Sequence, residues 1–219
     1  TRVLPEVTIS ELTPRKRRFF LKYLARFLLL FESVKAKGSF LDNKKVIVTA
    51  APHQSGKDEY LMILMILALD IDVCYLSAKW TMRRIPIPFI KPKDIDNQGI
   101  PWPLGWLQEI VFRKFGAIPV DRKGNSGQYD SVVQELFKRD SFLLIITPEG
   151  RFDATRFRSS FLYLAKELEA EVMPVQIDYE HDTLQFLKSL NLDGSEEEVI
   201  QRLRFCFDGV KGRKSRFKA

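Results

Sequence analysis

"KKVIVTAAPHQSGKDEYLMILMILAL", residues 44–69, runs from β-branched and small apolar residues through a polar turn into a second, longer apolar stretch. Residues 44–51 read as a strand, since valine and isoleucine suit a pleated surface and the run does not alternate with polar residues. Residues 56–69 read as a helix. The apolar part of that helix is too short for a bilayer span, which needs about 20 residues, and its length fits a helix buried against a sheet.

The same order recurs downstream. "DVCYLSA" reads as a strand, a Pro-rich connection covers about 80–103, and 104–115 reads as a helix. "AIPV" (117–120) is a short strand, 127–140 a helix, "FLLIIT" (142–147) a strand, 158–169 a helix and "EVMPVQI" (171–177) a strand. Apolar strands alternating with amphipathic helices predict an α/β fold with a mostly parallel central sheet and helices on both faces. In such sheets ligands gather at the carboxyl ends of the strands.

Ahead of this core, residues 13–35 start with Thr13 and Pro14 in cap and first-turn order, after which Lys22 and Arg26 share one face and Phe20, Tyr23, Leu24, Phe27, Leu28 and Phe31 crowd others. With the basic run Arg15 to Arg18 this is the composition of an amphipathic helix lying in a membrane interface, or of a core-packing helix with a basic solvated end. The 219 residues fit one domain: an interface helix over about 10–38, an α/β core over about 45–180 and a basic tail over 208–219. "KGRKSRFK" (211–218) is expected to be solvated.

A 45% hydrophobic share and 17 phenylalanines exclude a disordered chain. Thirty-five basic against 28 acidic residues give a net charge of +7, which favours phosphate esters or anionic membranes as partners. Nucleic acid is not expected, because aromatic and basic residues do not interleave. Cys74 and Cys206 read as buried small hydrophobes in a reducing compartment. No signal-like n-region and h-region opens the chain, so export is unsupported.

The turn at 50–61 admits two readings. A phosphate-cradling loop requires G-x-x-x-x-G-K-[ST]; here Ala51 replaces the first glycine, Asp58 the hydroxyl residue, and Pro52 removes an N–H donor. Read instead as His-x4-Asp, His53 lies in the loop after a strand and Asp58 in the first turn of a helix. A carboxylate on one imidazole nitrogen fixes the tautomer and raises the basicity of the other, which then takes a proton from a hydroxyl. Ser55 and Gly56 let the chain turn back between them. Two further strand ends carry polar groups: "GAIPVDRK" supplies Asp121 and Arg122, and "ITPEGRF" supplies Glu149, Gly150 and Arg151. Arginine forks suit a phosphate monoester, and a glycine lets backbone approach a ligand.

These stretches resemble the glycerolipid acyltransferases typified by 1-acylglycerol-3-phosphate (lysophosphatidic acid) acyltransferase. "APHQSGKDEY" is similar to the family's first block, His-x4-Asp, "GAIPVDRK" to the second, "ITPEGRF" to the third and "VMPVQIDY", around Pro174, to the fourth. "WPLGWLQEIVFRKFGAIPVDR" resembles a bacterial-type branch. The likeness covers roughly residues 45–180. It implies transfer of a fatty acyl group from acyl-CoA or acyl carrier protein to a hydroxyl of a glycerol-phosphate lipid at the cytoplasmic face of a membrane, held peripherally or monotopically, with no metal or bound cofactor. By position His53 is the implied general base and Asp58 its orienting partner. Arg122 and the Glu149-Gly150 loop form the implied acceptor-phosphate site, with Arg151 in the same block and Lys79 as a further basic contact. The third block reads Glu-Gly-Arg-Phe-Asp where the family has Glu-Gly-Thr-Arg-Ser, leaving Arg151 and Arg156 as alternatives for one guanidinium. The connection "RRIPIPFIKPKDIDNQG" (83–99) is longer than the family's, which suits a lid or an acceptor-selecting loop. The alternatives on the same fold are an acyltransferase for a non-glycerol lipid and a non-catalytic binder of anionic membranes.

Trp102 and Trp106, with Leu104 and Leu107, read as closing the core, an acyl groove being the alternative. His181 in "DYEHDT" has no partner pattern and reads as a surface residue.

Overall fold

The computed structural model describes residues 6–9, 19–32, 34–40, 44–54, 56–68, 73–78, 82–85, 100–101, 103–114, 116–120, 129–149 and 156–212. The chain groups into two compact units, Thr1–Val73 with Asp140–Ala219, and Cys74–Arg139. The second is an excursion between strands of the first.

In the first unit the strands are β1 (Glu6–Ile9), β2 (Lys35–Phe40), β3 (Lys45–Ala51), β8 (Phe142–Ile146), β9 (Glu171–Asp178) and β10 (Thr183–Phe186). They lie in the order β1-β2-β10-β9-β3-β8. Every neighbouring pair is parallel except the β9–β10 hairpin. The fold is thus α/β with a mostly parallel sheet, as the alternating pattern predicts. β3 is central and its side chains from Val46 to Ala51 are buried, which is why its sequence does not alternate.

Helix α2 (Gly56–Ala68) follows β3 and buries Leu61, Met62, Met65 and Ile66, so its apolar run is core. Helix α1 (Phe19–Leu29) packs on α2. The Arg26 Nε donates to the Ala68 carbonyl at 3.1 Å, satisfying a helix-end acceptor, and Lys57 Nζ pairs with Glu32 at 2.8 Å. Helix α5 (Ser160–Leu168) lays Phe161, Leu164, Ala165 and Leu168 onto β3 and β9, an i, i+3, i+4, i+7 stripe.

The second unit pairs β4 (Val73–Ala78) with β7 (Ala117–Val120) in parallel and β5 (Arg84–Ile85) with β6 (Ile100–Pro101) antiparallel, and carries α3 (Gly105–Lys114) and α4 (Asp130–Phe137). The core assignment of Trp106, Leu104 and Leu107 is corrected here: Trp106 is 56% exposed and both leucines are exposed. The reason is Gly105, the buried residue of α3, where an added Cβ would lie 2.6 Å from the Arg83 carbonyl oxygen. The helix backbone approaches Arg83, just ahead of β5, through that glycine, and the larger side chains point away. Trp102 lies outside the described residues.

Six elements escape the sequence pattern: β1, β2, β5, β6, β10 and α6 (Glu196–Phe205). The helix had a legible signal, since Ser195 and Glu198 form a capping box, Ser195 Oγ accepting from the Glu198 N–H and Glu198 accepting from the Ser195 N–H at 2.8 Å. β2, "KAKGSF", has little intrinsic strand character and is held by pairing on both sides. Thr13, Pro14 and Arg15 to Arg18 lie outside the described residues, as do residues 213–218 of the tail. The tail's first residues are anchored rather than solvated: Lys211 O accepts from the Tyr179 N–H at 2.9 Å, and Gly212 is buried. Cys74 is buried, whereas Cys206 is only partly so, and neither is in a disulfide. Among the described residues no helix is long and apolar enough to cross a membrane.

Candidate functional site

Register brings the sequence-predicted His53, Asp58 and Glu149 together with Tyr179 within the first unit. β3 pairs in parallel with β8 at Thr49 and Ile146, and with β9 at Ala51 and Gln176. Residues a few places past each strand, His53, Glu149 and Tyr179, therefore emerge at the same sheet edge, the carboxyl end where α/β proteins assemble sites. The chain leaves β3 through a cis Ala51–Pro52 bond and then turns into α2, whose first turn carries Asp58.

The three ionisable groups are buried: His53 is 4% exposed, Asp58 1% and Glu149 9%. His53 Nδ1 lies 3.6 Å from Asp58 Oδ2. That is an ionic separation, longer than a hydrogen bond. Asp58 is held by other donors: the Gln54 backbone N–H donates to Oδ2 at 2.7 Å, and the Tyr179 hydroxyl donates to Oδ1 at 2.6 Å. The Gln54 contact is a first-turn carboxylate reaching back to a backbone donor ahead of its own helix, the geometry that makes short polar side chains effective at helix starts.

Glu149 takes a part that the sequence does not suggest. Its Oε2 accepts the His53 backbone N–H at 2.6 Å, so the turn after β8 grips the histidine loop by its main chain. Burial drives its carboxyl pKa up from the ordinary 4.5 to about 7; the hydrogen bond from His53 pulls the other way, and the Asp58 carboxylate adds to the rise. At neutral pH this carboxyl is poised between its two forms.

Lys79, Arg122, Gly150 and Arg151 lie outside the described residues. Arg156 is described and exposed. Sequence reasoning missed Gln54 and Tyr179. Nothing local marks Gln54, because the group it contributes is a main-chain N–H; Tyr179 stands in "QIDYEH", where only the sheet register relates it to Asp58. Among the described residues no group of three or more His, Cys, Asp or Glu side chains could hold a metal ion.

His181 is a surface residue, as expected, but it does have a partner. Its Nδ1 lies 2.7 Å from Asp178 Oδ2 in the β9–β10 loop. That hydrogen bond raises the imidazole pKa. It also lowers the Asp178 carboxyl against the upward pull of partial burial.

No protein-family profile and no curated protein sequence matches the chain. Among solved structures it is similar to the 1-acyl-sn-glycerophosphate (LPA) acyltransferase PlsC from Thermotoga maritima, with 18% sequence identity and a TM-score of 0.52 over 90% of this chain and 82% of that one. At that identity the likeness establishes a shared fold.

Proposed function

We propose that this chain transfers a fatty acyl group from acyl-CoA or acyl carrier protein to a hydroxyl of lysophosphatidic acid or a related glycerol-phosphate lipid. The observation that carries this reading is the buried His53–Asp58 pair at the carboxyl end of β3, with its loop fastened by Glu149. The order of the four sequence blocks supports it, and so does the fold shared with an acyltransferase of that acceptor.

In this reading Asp58 faces Nδ1 and leaves Nε2 of His53 as the base. Nε2 removes the proton of the acceptor hydroxyl as its oxygen attacks the thioester carbonyl carbon. The carbon–oxygen bond forms, the tetrahedral intermediate expels the thiolate, and the imidazolium returns the proton to sulfur. The nearby Asp58 carboxylate stabilises the imidazolium between the two steps. Arg122, Arg151 and Lys79, with the backbone at Gly150, are assigned to the acceptor phosphate, where fixed positive charge is required.

Membrane association belongs to the same reading. Phe20, Tyr23, Phe27, Leu30 and Phe31 are all exposed, and they recur at the helical spacing that makes one apolar stripe on and just beyond α1. Ala25 is buried on the other side. A stripe of this kind inserts shallowly beside lipid headgroups and suits a cytoplasmic-face, peripheral or monotopic attachment.

The deciding experiment is release of free CoA from a long-chain acyl-CoA, with and without lysophosphatidic acid, by the native chain and by His53→Ala. Release that needs the acceptor and is lost in the variant supports both reaction and base. Release that is equal in both removes His53 from the mechanism. No release with lysophosphatidic acid, other lysophospholipids or glycerol 3-phosphate overturns the glycerolipid reading.

A further inference from the structure

We propose that Tyr179 is a positioning residue for Asp58, fixing the carboxylate in the orientation that presents Oδ2 to His53. The inference rests on the His53–Asp58 reading above and extends it to a residue outside the His-x4-Asp block.

Each Asp58 oxygen has its own donor. Gln54 N–H holds Oδ2 at 2.7 Å and the Tyr179 hydroxyl holds Oδ1 at 2.6 Å. Two short charge-assisted hydrogen bonds on opposite oxygens prevent rotation of the carboxylate plane; one alone leaves it a hinge. The distinction matters because Oδ2, 3.6 Å from His53 Nδ1, serves both Gln54 and the imidazole. A modest swing of the carboxylate lengthens that separation, and the imidazole loses its preference for one tautomer.

Tyr179 is itself locked. It is 5% exposed and is the first residue after β9. Asp178 pins the loop behind it, its Oδ1 accepting the Glu180 N–H at 2.9 Å and its Oδ2 meeting His181. Its own N–H goes to the Lys211 carbonyl, and Lys211 Nζ reaches Glu180 at 3.3 Å. One residue on, Gly212 lies so close to the Gln54 side chain that an added Cβ would stand 2.5 Å from its amide. The C-terminal segment therefore presses on both residues that donate to Asp58, Tyr179 through Lys211 and Gln54 through Gly212.

The test is Tyr179→Phe, which keeps the ring and removes the hydroxyl. The chain has two histidines, so imidazole 15N labelling gives two ring signatures, and His181→Gln assigns them. In the native protein the His53 nitrogens should report one tautomer, protonated at Nδ1; in Tyr179→Phe they should move toward averaged values. Unchanged His53 signals in a folded variant overturn the proposal, whatever the melting temperature does. In turnover with acyl-CoA and lysophosphatidic acid, kcat should fall about tenfold to a hundredfold with KM within about twofold, the range for a hydrogen bond to a charged group. Added to Asp58→Asn, the same change should cost nothing further. A multiplicative loss in the double variant places Tyr179 elsewhere in the mechanism and overturns the proposal. If the native chain transfers no acyl group, the reading of function falls while the ring signals still decide Tyr179. If Tyr179→Phe does not fold, the phenolic proton of the native protein decides: slow exchange supports a buried bond to Asp58, and rapid exchange with water overturns it.

Discussion

Two histidines each face an aspartate, and the closer pair is the one without a site around it. His181 and Asp178 meet at 2.7 Å in an exposed loop, with the imidazole side chain 68% exposed. His53 and Asp58 stand 3.6 Å apart in the interior. Proximity is thus a poor guide to chemistry. In the loop, water screens the pair, and its structural effect is to stiffen the turn after β9. In the interior, Asp58 has both oxygens bound by fixed donors, and the His53 main chain is gripped by Glu149. That framework fixes the geometry of the inner pair, and a preorganised environment of low polarity strengthens every charge interaction within it.

The comparison breaks most sharply at the base. His53→Ala should lower acyl transfer by roughly 10² to 10⁴ with the fold retained, measured as acceptor-dependent CoA release. Asp58→Asn comes next, with an expected loss of about tenfold to a thousandfold in kcat, because the imidazole keeps its place but loses its orienting charge. If the outer pair were the functional one, His181→Gln would give these losses and His53→Ala would not.

Glu149 sharpens the contrast through pH. Its folded carboxyl, raised to about 7 from 4.5, binds a proton that the unfolded chain releases earlier. The associated stability is fully present below about 4.5 and is lost as pH rises through about 7, in total about 3 kcal/mol by linkage. Glu149→Gln keeps an oxygen to accept the His53 N–H and removes the buried charge. Its melting temperature should match the native one near pH 4.5 and exceed it at pH 8. A constant offset across that range would mean that the carboxyl has the same pKa in the folded and unfolded chains, so that burial does not raise it. The outer pair should show no comparable signature.

The smallest effect is expected at the surface. His181→Gln should leave turnover within about twofold, and any stability change should fade in high salt, as for exposed ion pairs in general. A large loss of turnover would mean that the β9–β10 turn transmits its geometry through Tyr179 to Asp58. That result would make the two pairs parts of one device.

Local chemistry made the central strands and helices readable. β3 is apolar from Val46 to Ala51 apart from Thr49, and α2 is apolar from Tyr60 to Ala68; such runs have few alternatives to the interior, so the ends of both elements fall within a residue of the sequence reading. α3 misled for the same reason: its apolar side chains read as core, but the helix is seated by the backbone at Gly105 and by the polar contacts of Gln108 with the Arg84 carbonyl and of Glu109 with Arg83. A hydrophobic pattern says which residues favour burial, and cannot say which backbones come close enough to achieve it.

The sequence by itself determined the α/β class, the order of the central elements, and the placing of His53 and Asp58 on either side of one strand-to-helix turn. Spacing along the chain is enough for groups five residues apart. Only the tertiary structure decided what holds that pair. Glu149 and Tyr179 stand 96 and 121 residues from their partners and arrive by the parallel register of β3 with β8 and β9. Gln54 contributes a main-chain N–H, a group that every non-proline residue has. Donors of that kind leave no mark in composition or periodicity, because what selects them is the position of a backbone in space.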